Sequence, residues 1–255
     1  MSNWNPDQYM KFGSERTQPS ADLISRLADI EPTRILDLGC GPGNSTNLLA
    51  ERFKSAEIIG VDSSEEMLIK ARAAYPKLNF KKCVAPDEMS NISGNFDLVF
   101  SNACIHWIPR QERLLSAVFD KLNDGGLLAV QIPLIQSAPF YKLLFDLVKS
   151  DRWKRLSHIH NFHNLLPEEY YDLLGSLSKD FNIWETTYYH TVSSSDGVIE
   201  WYKGSGLRPY LNCLSEGEQK ELTADLRKLI DENYPIRKNG CVILKMPRLF
   251  FTAVK

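Results

Sequence analysis

Asp37, Gly39, Gly41, Gly43 and Asp62 are the residues of this chain whose types and spacing could do chemistry. The run Ile-Leu-Asp-Leu-Gly-Cys-Gly-Pro-Gly-Asn-Ser-Thr at 35–46 carries an apolar strand into a glycine-rich turn and then into a helix, the build of a nucleotide-cofactor loop. Glycines let the backbone turn tightly and bring a ligand against main-chain N–H groups that a Cβ would shield. The helix that follows offers its own unpaired N–H groups at the same place. A dinucleotide fingerprint starting at Gly39 needs Gly or Ala at 44, where Asn44 stands, and no hydride-transfer dyad is recognisable. Nineteen residues past Gly43, the apolar run Ile58-Ile59-Gly60-Val61 ends in Asp62, an acid at the tip of a second strand and placed for two ribose hydroxyls.

The pattern D-x-G-x-G-x-G followed by such an acid resembles the S-adenosylmethionine (SAM) site of class I methyltransferases. What the resemblance implies is a cofactor held by Asp37, Gly39, Cys40, Gly41 and Asn44 in the loop, by Asp62, Ser63 and Met67 after strand two, and by Asn102, Ala103 and Trp107 beyond strand four. Class I enzymes commonly carry an acid just after strand three to meet the adenine amino group. Here the sequence is Lys82-Cys83-Val84-Ala85-Pro86-Asp87, so that contact falls to Asp87 from a shifted position or to backbone near Val84 and Ala85.

Strand-like and helix-like runs alternate through the first half, which predicts an α/β fold with a doubly wound, mostly parallel sheet. A helix is expected over 20–28 behind Pro19, strands over 34–38, 57–62, 79–84, 96–101 and 127–132, and helices from Asn44, after a Ser64 cap, and over 111–122. Asp124-Gly125-Gly126 reads as a turn into the fifth strand. Residues 137–180 have helical apolar spacing broken by Pro139 and Pro167, with Tyr170, Leu173, Leu174 and Leu177 on one stripe. Two β-rich runs, 181–192 and 242–254, complete a seven-stranded sheet. The expected organisation is an N-terminal arm and helix closing over the site (1–30), a SAM-binding core (31–135), a helical cap insertion (136–180), and a C-terminal part completing sheet and acceptor site (181–255).

Composition narrows the partners. A net charge of −2 with mixed signs, and no dense basic run, argues against nucleic acid. Met-Ser-Asn-Trp-Asn-Pro-Asp lacks a basic segment followed by an apolar core, and the longest apolar stretch, 127–135, is interrupted by Gln131 and Pro133, so a cytoplasmic protein without a membrane span is expected. Five scattered cysteines without C-x-x-C fit reduced thiols. His158, His160 and His163 crowd one segment, but the spacing lacks the i, i+4 pairs or supporting ligands of a metal site, and no metal is expected. The charged run 216–228 reads as the solvated face of a helix.

Further pieces sharpen the resemblance: Trp4-Asn5-Pro6, Glu15-Arg16, Asn102-Ala103 with Trp107, Ala129-Val130-Gln131, Thr186-Thr187-Tyr188-Tyr189-His190, Gly206-Leu207-Arg208-Pro209 and Pro247-Arg248-Leu249-Phe250. Together they are similar to the trans-aconitate 2-methyltransferase family and span nearly the whole chain. The resemblance implies methyl transfer from SAM to a carboxylate of a small polycarboxylate, giving a monomethyl ester; a monomer or simple homodimer is expected. The chemistry is self-consistent. A carboxylate is ionised at neutral pH and attacks the sulfonium methyl without a general base, so no catalytic residue need be found. Anion and cation lose their charges in the reaction, so exclusion of water and alignment are the main devices. A tricarboxylate calls for guanidinium groups and hydroxyls, and the candidates are Arg208, Arg248, Tyr188 and His190, with Trp4, Tyr9 and Arg16 from the N-terminal arm. Tyr188 and Tyr189 alternate along a strand, so only one of them can face the ligand. Position 106 departs from the family, in which Gln is expected. His106 could serve there as acceptor-site residue, or as base for a hydroxyl acceptor, which keeps a methyltransferase of a different small molecule in play beside a non-catalytic SAM-binding protein.

Overall fold

In the computed structural model, which describes residues 13–159 and 162–255, the apolar runs of the first half become β1 (Arg34–Leu38), β2 (Glu57–Asp62), β3 (Asn79–Lys82), β4 (Phe96–Asn102) and β5 (Leu122–Pro133). The β-rich runs of the second half become β6 (Phe181–Val192) and β7 (Val242–Val254). The described residues form a seven-stranded sheet in the order β3-β2-β1-β4-β5-β7-β6. The first five strands are mutually parallel, and β7 joins β5 antiparallel. The order reverses beside β1, so the crevice of the switch point opens at the carboxyl ends of β1 and β4, where ligands of open α/β sheets sit.

Helices α1 (Gly13–Ser25), α2 (Asn44–Arg52), α3 (Glu65–Ala74) and α4 (Gln111–Asp120) accompany these strands. The strands read as near-continuous apolar runs because the parallel sheet is covered on both faces. Ile35, Leu36, Leu98, Val99 and Phe100 have no exposure. Each such side chain contributes about 1.5–3 kcal/mol by leaving water.

Four boundaries differ from expectation, each for a local reason. Helix α1 runs through Pro19 and ends at Ser25, because Arg26 and Leu27 donate to carbonyls only three residues back and tighten the chain into a turn. Strand β3 stops at Lys82, since the Val84 N–H is taken by the Glu88 carboxylate at 2.8 Å. Helix α4 ends at Asp120, two residues short of the expected 122, since Leu122 already belongs to β5. The expected turn at 124–126 lies inside β5: the register shifts between Phe96 and Leu98, and Gly125 takes φ +76°. That irregularity lets the strand begin at Leu122.

The described residues divide into two compact units. One holds 14–133, 162–186 and 248–255, and the other holds 134–159 and 187–247. The stretch 136–180 is therefore shared. Helix α5 (Pro139–Val148) belongs to the second unit, whereas α6 (Pro167–Leu177) belongs to the first and buries Tyr170 and Leu174. In the second unit, α7 (Ser195–Lys203), α8 (Arg208–Leu211) and α9 (Glu216–Asn233) accompany α5. Phe140 stacks on Tyr202 with 3.5 Å between ring centroids. Helix α9 starts in a capping box between Ser215 and Glu218 and buries Leu222, Leu226 and Ile230. Its charged face is partly tied down: Arg152 bridges Glu221 and Asp225, and Arg155 meets Glu218. Among the described residues no helix is long and apolar enough to cross a membrane, and no cluster of His, Cys, Asp and Glu could hold a metal ion. His160 lies outside the described residues.

Candidate functional site

The loop after β1 is closed by its own hydrogen bonds. Gly39 and Cys40 both donate to the Val61 carbonyl, at 2.8 and 3.0 Å, Gly43 donates to the Cys40 carbonyl, and the Gly41 N–H goes to Asp62 Oδ2 at 2.9 Å. These amides hold the turn with bonds inside the protein. The glycines are required for shape. Gly39 has φ +76°, and a Cβ there would lie 2.1 Å from Cys104 Sγ. Beneath the loop an apolar cluster of Cys40, Leu68, Ala71 and Phe80, with Tyr75 and Leu78 against it, fills the space a larger residue at Gly43 would need. Tyr75 donates to Asn44 Oδ1 at 3.4 Å.

Two aspartates face this turn from different strands. Asp37 is fully buried, and its Oδ2 accepts from the hydroxyls of Ser45 and Thr46, each at 2.7 Å, pinning the first turn of α2 to the strand. Its Oδ1 has no hydrogen-bond partner among the described residues. Burial, only partly offset by the two hydroxyls, pushes the Asp37 carboxyl up to about 6. Asp62, half-buried at the end of β2, accepts from the Ser64 N–H through Oδ1 at 2.8 Å and from Gly41 through Oδ2. Burial raises its carboxyl and the backbone donors pull it back. Ser63 is exposed beside it, Ser64 caps α3, and Met67 is buried in that helix. After β3, Val84 is an exposed apolar side chain, while Asp87 forms an ion pair with Arg113 at 2.6 Å.

Beyond β4 the backbone is contorted. Ala103 takes φ +52°, a left-handed conformation that costs a residue with a Cβ about 1–2 kcal/mol, and its N–H donates to the Gln131 carbonyl at 2.8 Å. This turn sets Cys104 against Gly39 and leads into a short helical turn carrying His106 and Trp107. Gln111 fixes that turn by donating to the carbonyls of Ile105 and Ile108 at 2.8 and 2.6 Å, while its oxygen accepts from Tyr170 at 2.9 Å. His106 is 3% exposed, stacks on Phe162, and has no hydrogen-bond partner for Nδ1 among the described residues. Burial first, and then the charge of Arg248, hold its imidazole well below the usual histidine range, so it is neutral. Trp107 packs on Phe162 at 4.8 Å between centroids. Arg248 is 8% exposed on β7, opposite Pro133 at the end of β5.

The first unit therefore gathers Asp37, Asp62, Asn102, His106, Trp107 and Arg248 along the carboxyl edge of the parallel strands. In the second unit Tyr188 stacks on His190, with 6.2 Å between ring centroids, and His190 stacks on Trp201 at 4.9 Å, while Tyr189 is 66% exposed. Arg208 opens α8, where Gly206 leaves no room for a Cβ against the Tyr141 hydroxyl. Trp4 and Tyr9 lie outside the described residues, as does the side chain of Arg16. Sequence reasoning missed Gln111, Tyr170 and Gln131. Of these only Gln131 carried a signal, as a polar residue breaking an apolar strand.

Known proteins share this architecture. A family of proteins described as "Methyltransferase domain" matches residues 35–126. The YcgJ protein from Bacillus superposes with a TM-score of 0.61 at 17% identity, covering 93% of this chain and 98% of that one. Phosphoethanolamine N-methyltransferase 2 of Haemonchus contortus superposes with a TM-score of 0.57 at 18% identity, over 93% and 52% of the two chains. Among curated proteins, the trans-aconitate 2-methyltransferase of Enterobacter sp. strain 638 is 38% identical over 99% of this chain and 98% of its own length. That of Variovorax paradoxus is 35% identical over 100% and 99%. Agreement at this level along the entire length, with the glycine turn and both aspartates in place, means that the chain belongs to the trans-aconitate 2-methyltransferase family.

Proposed function

We propose that this protein transfers a methyl group from SAM to a carboxylate of trans-aconitate, forming a monomethyl ester. The observation that carries the reading is Arg248, a nearly buried guanidinium beside a neutral histidine at the carboxyl edge of the sheet. A guanidinium is always charged and presents a planar fork matched to a carboxylate.

The residues present fit the cofactor. Asp62 stands at the tip of β2 with lone pairs to spare for two ribose hydroxyls. The exposed Val84 offers an apolar wall for an aromatic base. Asp37 Oδ1 and Asn102 Oδ1, both buried and without protein partners among the described residues, suit the positive end of an amino acid. The loop amides are already used, which suits a cofactor without phosphates. When bound, SAM supplies a methyl group on a positively charged sulfur. The chain's own task is then to bind, align and exclude water.

His106 favours an acid acceptor over a hydroxyl. An imidazole held well below its usual range is a weak proton acceptor, and a hydroxyl acceptor would need a strong one. A carboxylate needs none. Mass analysis of a reaction containing SAM and trans-aconitate tests the proposal: a product heavier by one methylene unit is expected, and recovery of unmodified acid under conditions where SAM binds would refute it.

A further inference from the structure

Gln131 lies in β5, is 1% exposed, and has no hydrogen-bond partner for either Nε2 or Oε1 among the described residues. A buried amide left with both its donor and its acceptor unsatisfied costs on the order of 1–3 kcal/mol for each group. Such a group in a native fold calls for a ligand. Its position says which. Gln131 pairs with Asn102 on β4 and with Phe250 on β7, while Pro133, two residues further, pairs with Arg248. Residues opposite one another on paired strands share a face, as do residues two apart. Asn102, Gln131 and Arg248 therefore lie on one face of the sheet, with Gln131 on the strand between the other two.

The polar atoms change character across that face. On the side of β1 and β4 the buried atoms without partners, Asp37 Oδ1 and Asn102 Oδ1, are acceptors and call for a cation. On the side of β7 stands the Arg248 guanidinium, a permanently charged donor whose planar fork matches a carboxylate. Resting on the reading that the site takes SAM and a polycarboxylate, we propose that Gln131 binds both: its carbonyl oxygen accepts from the ammonium of the cofactor's methionine end, and its amide nitrogen donates to a carboxylate of the acceptor. One side chain would then fix the two ligands relative to each other, which is the alignment that in-line methyl transfer needs.

Two substitutions separate the halves of the proposal. Gln131→Glu keeps the acceptor oxygen and replaces the donor by negative charge. Gln131→Met keeps the shape and removes both groups. Calorimetry with S-adenosylhomocysteine should find Gln131→Glu within about threefold of the unsubstituted protein and Gln131→Met weaker by about tenfold. The acceptor KM for trans-aconitate should rise about tenfold or more in both, with thermal melts confirming that each variant is folded. Unchanged acceptor KM in folded Gln131→Glu, or unchanged S-adenosylhomocysteine affinity in folded Gln131→Met, would overturn the inference while leaving the proposed function intact. An unsubstituted protein that binds S-adenosylhomocysteine but forms no ester from trans-aconitate would instead overturn the proposed function, and the acceptor half of this inference with it.

Discussion

Asp62 Oδ2 accepts the Gly41 N–H at 2.9 Å, so the acid at the tip of β2 is tied to the turn after β1 by the protein alone. The carboxylate proposed to meet ribose hydroxyls thus also shapes the loop. Replacing it removes two functions together. Asp62→Ala should weaken S-adenosylhomocysteine binding by about a hundredfold, the loss of two charge-assisted hydrogen bonds, as read by calorimetry. Asp62→Asn keeps one oxygen for the Gly41 N–H but sets its amide nitrogen against the Ser64 N–H, so it should melt somewhat below the unsubstituted protein and bind with intermediate affinity.

Gly39 cannot be replaced for two separable reasons. Its φ of +76° disfavours any residue with a Cβ, and the added atom would lie 2.1 Å from Cys104 Sγ and 2.2 Å from Cys104 Cβ. Gly39→Ala should cost about 2–4 kcal/mol and lower the melting temperature by roughly 5–15 °C. Trimming the partner is no remedy. In the double variant with Cys104→Ala the Cβ of residue 104 remains, so thermal unfolding should show little recovery.

The buried Asp37 makes stability depend on pH in a stated direction. Its carboxyl is pushed from the ordinary range to about 6 in the folded protein, so between about pH 4 and pH 6 the folded state binds more protons than the unfolded. Stability from this group is therefore greatest below that window and falls as pH rises through it, by on the order of 3 kcal/mol at about 1.4 kcal/mol per unit. Asp37→Asn retains an oxygen for Ser45 and Thr46 and removes the charge. It should melt higher than the unsubstituted protein at pH 7.5 and show a flatter pH profile from 4 to 6, while binding S-adenosylhomocysteine less tightly. A melting temperature at pH 7.5 below that of the unsubstituted protein would contradict this account.

What the sequence conveyed and what it withheld divide along physical lines. Apolar runs and glycine punctuation placed β1, β2 and β7 at the bounds found, because burial dictates those patterns locally, while β6, a partly exposed edge strand, was legible from its run of β-forming residues. Caps at Ser64 and Ser215 were legible for the same reason: the bond each makes lies within its own turn. The fate of the loop amides was not legible. The Gly39 and Cys40 N–H groups end on Val61, a partner on another strand, and no local pattern encodes that choice. Gln111 shows the same limit, since it joins the turn at Ile105 and Ile108 to Tyr170, 59 residues away. Helix α1 ran through Pro19 against the breaker rule, which weighs a single residue and not the packing of Leu23 and Ile24 beyond it.

Arg248 should respond in a graded way to substitution when the acceptor is an acid. Arg248 is 8% exposed and shares the carboxyl edge with His106, so its fork is held in place and its charge is felt nearby. Arg248→Lys keeps the charge but loses the bidentate fork, and should raise the acceptor KM by about tenfold; Arg248→Met loses both and should raise it by about a hundredfold or more. S-adenosylhomocysteine affinity should stay within about twofold in either, because the loss lies in acceptor binding. A second readout is independent of turnover. The Arg248 charge depresses the His106 titration, so NMR should find the imidazole of Arg248→Met titrating higher than in the unsubstituted protein, though still below the usual range because burial, the larger cause, remains. Acceptor kinetics unchanged in both Arg248 variants would remove its guanidinium from the site and leave the neutral histidine without an anion to accompany.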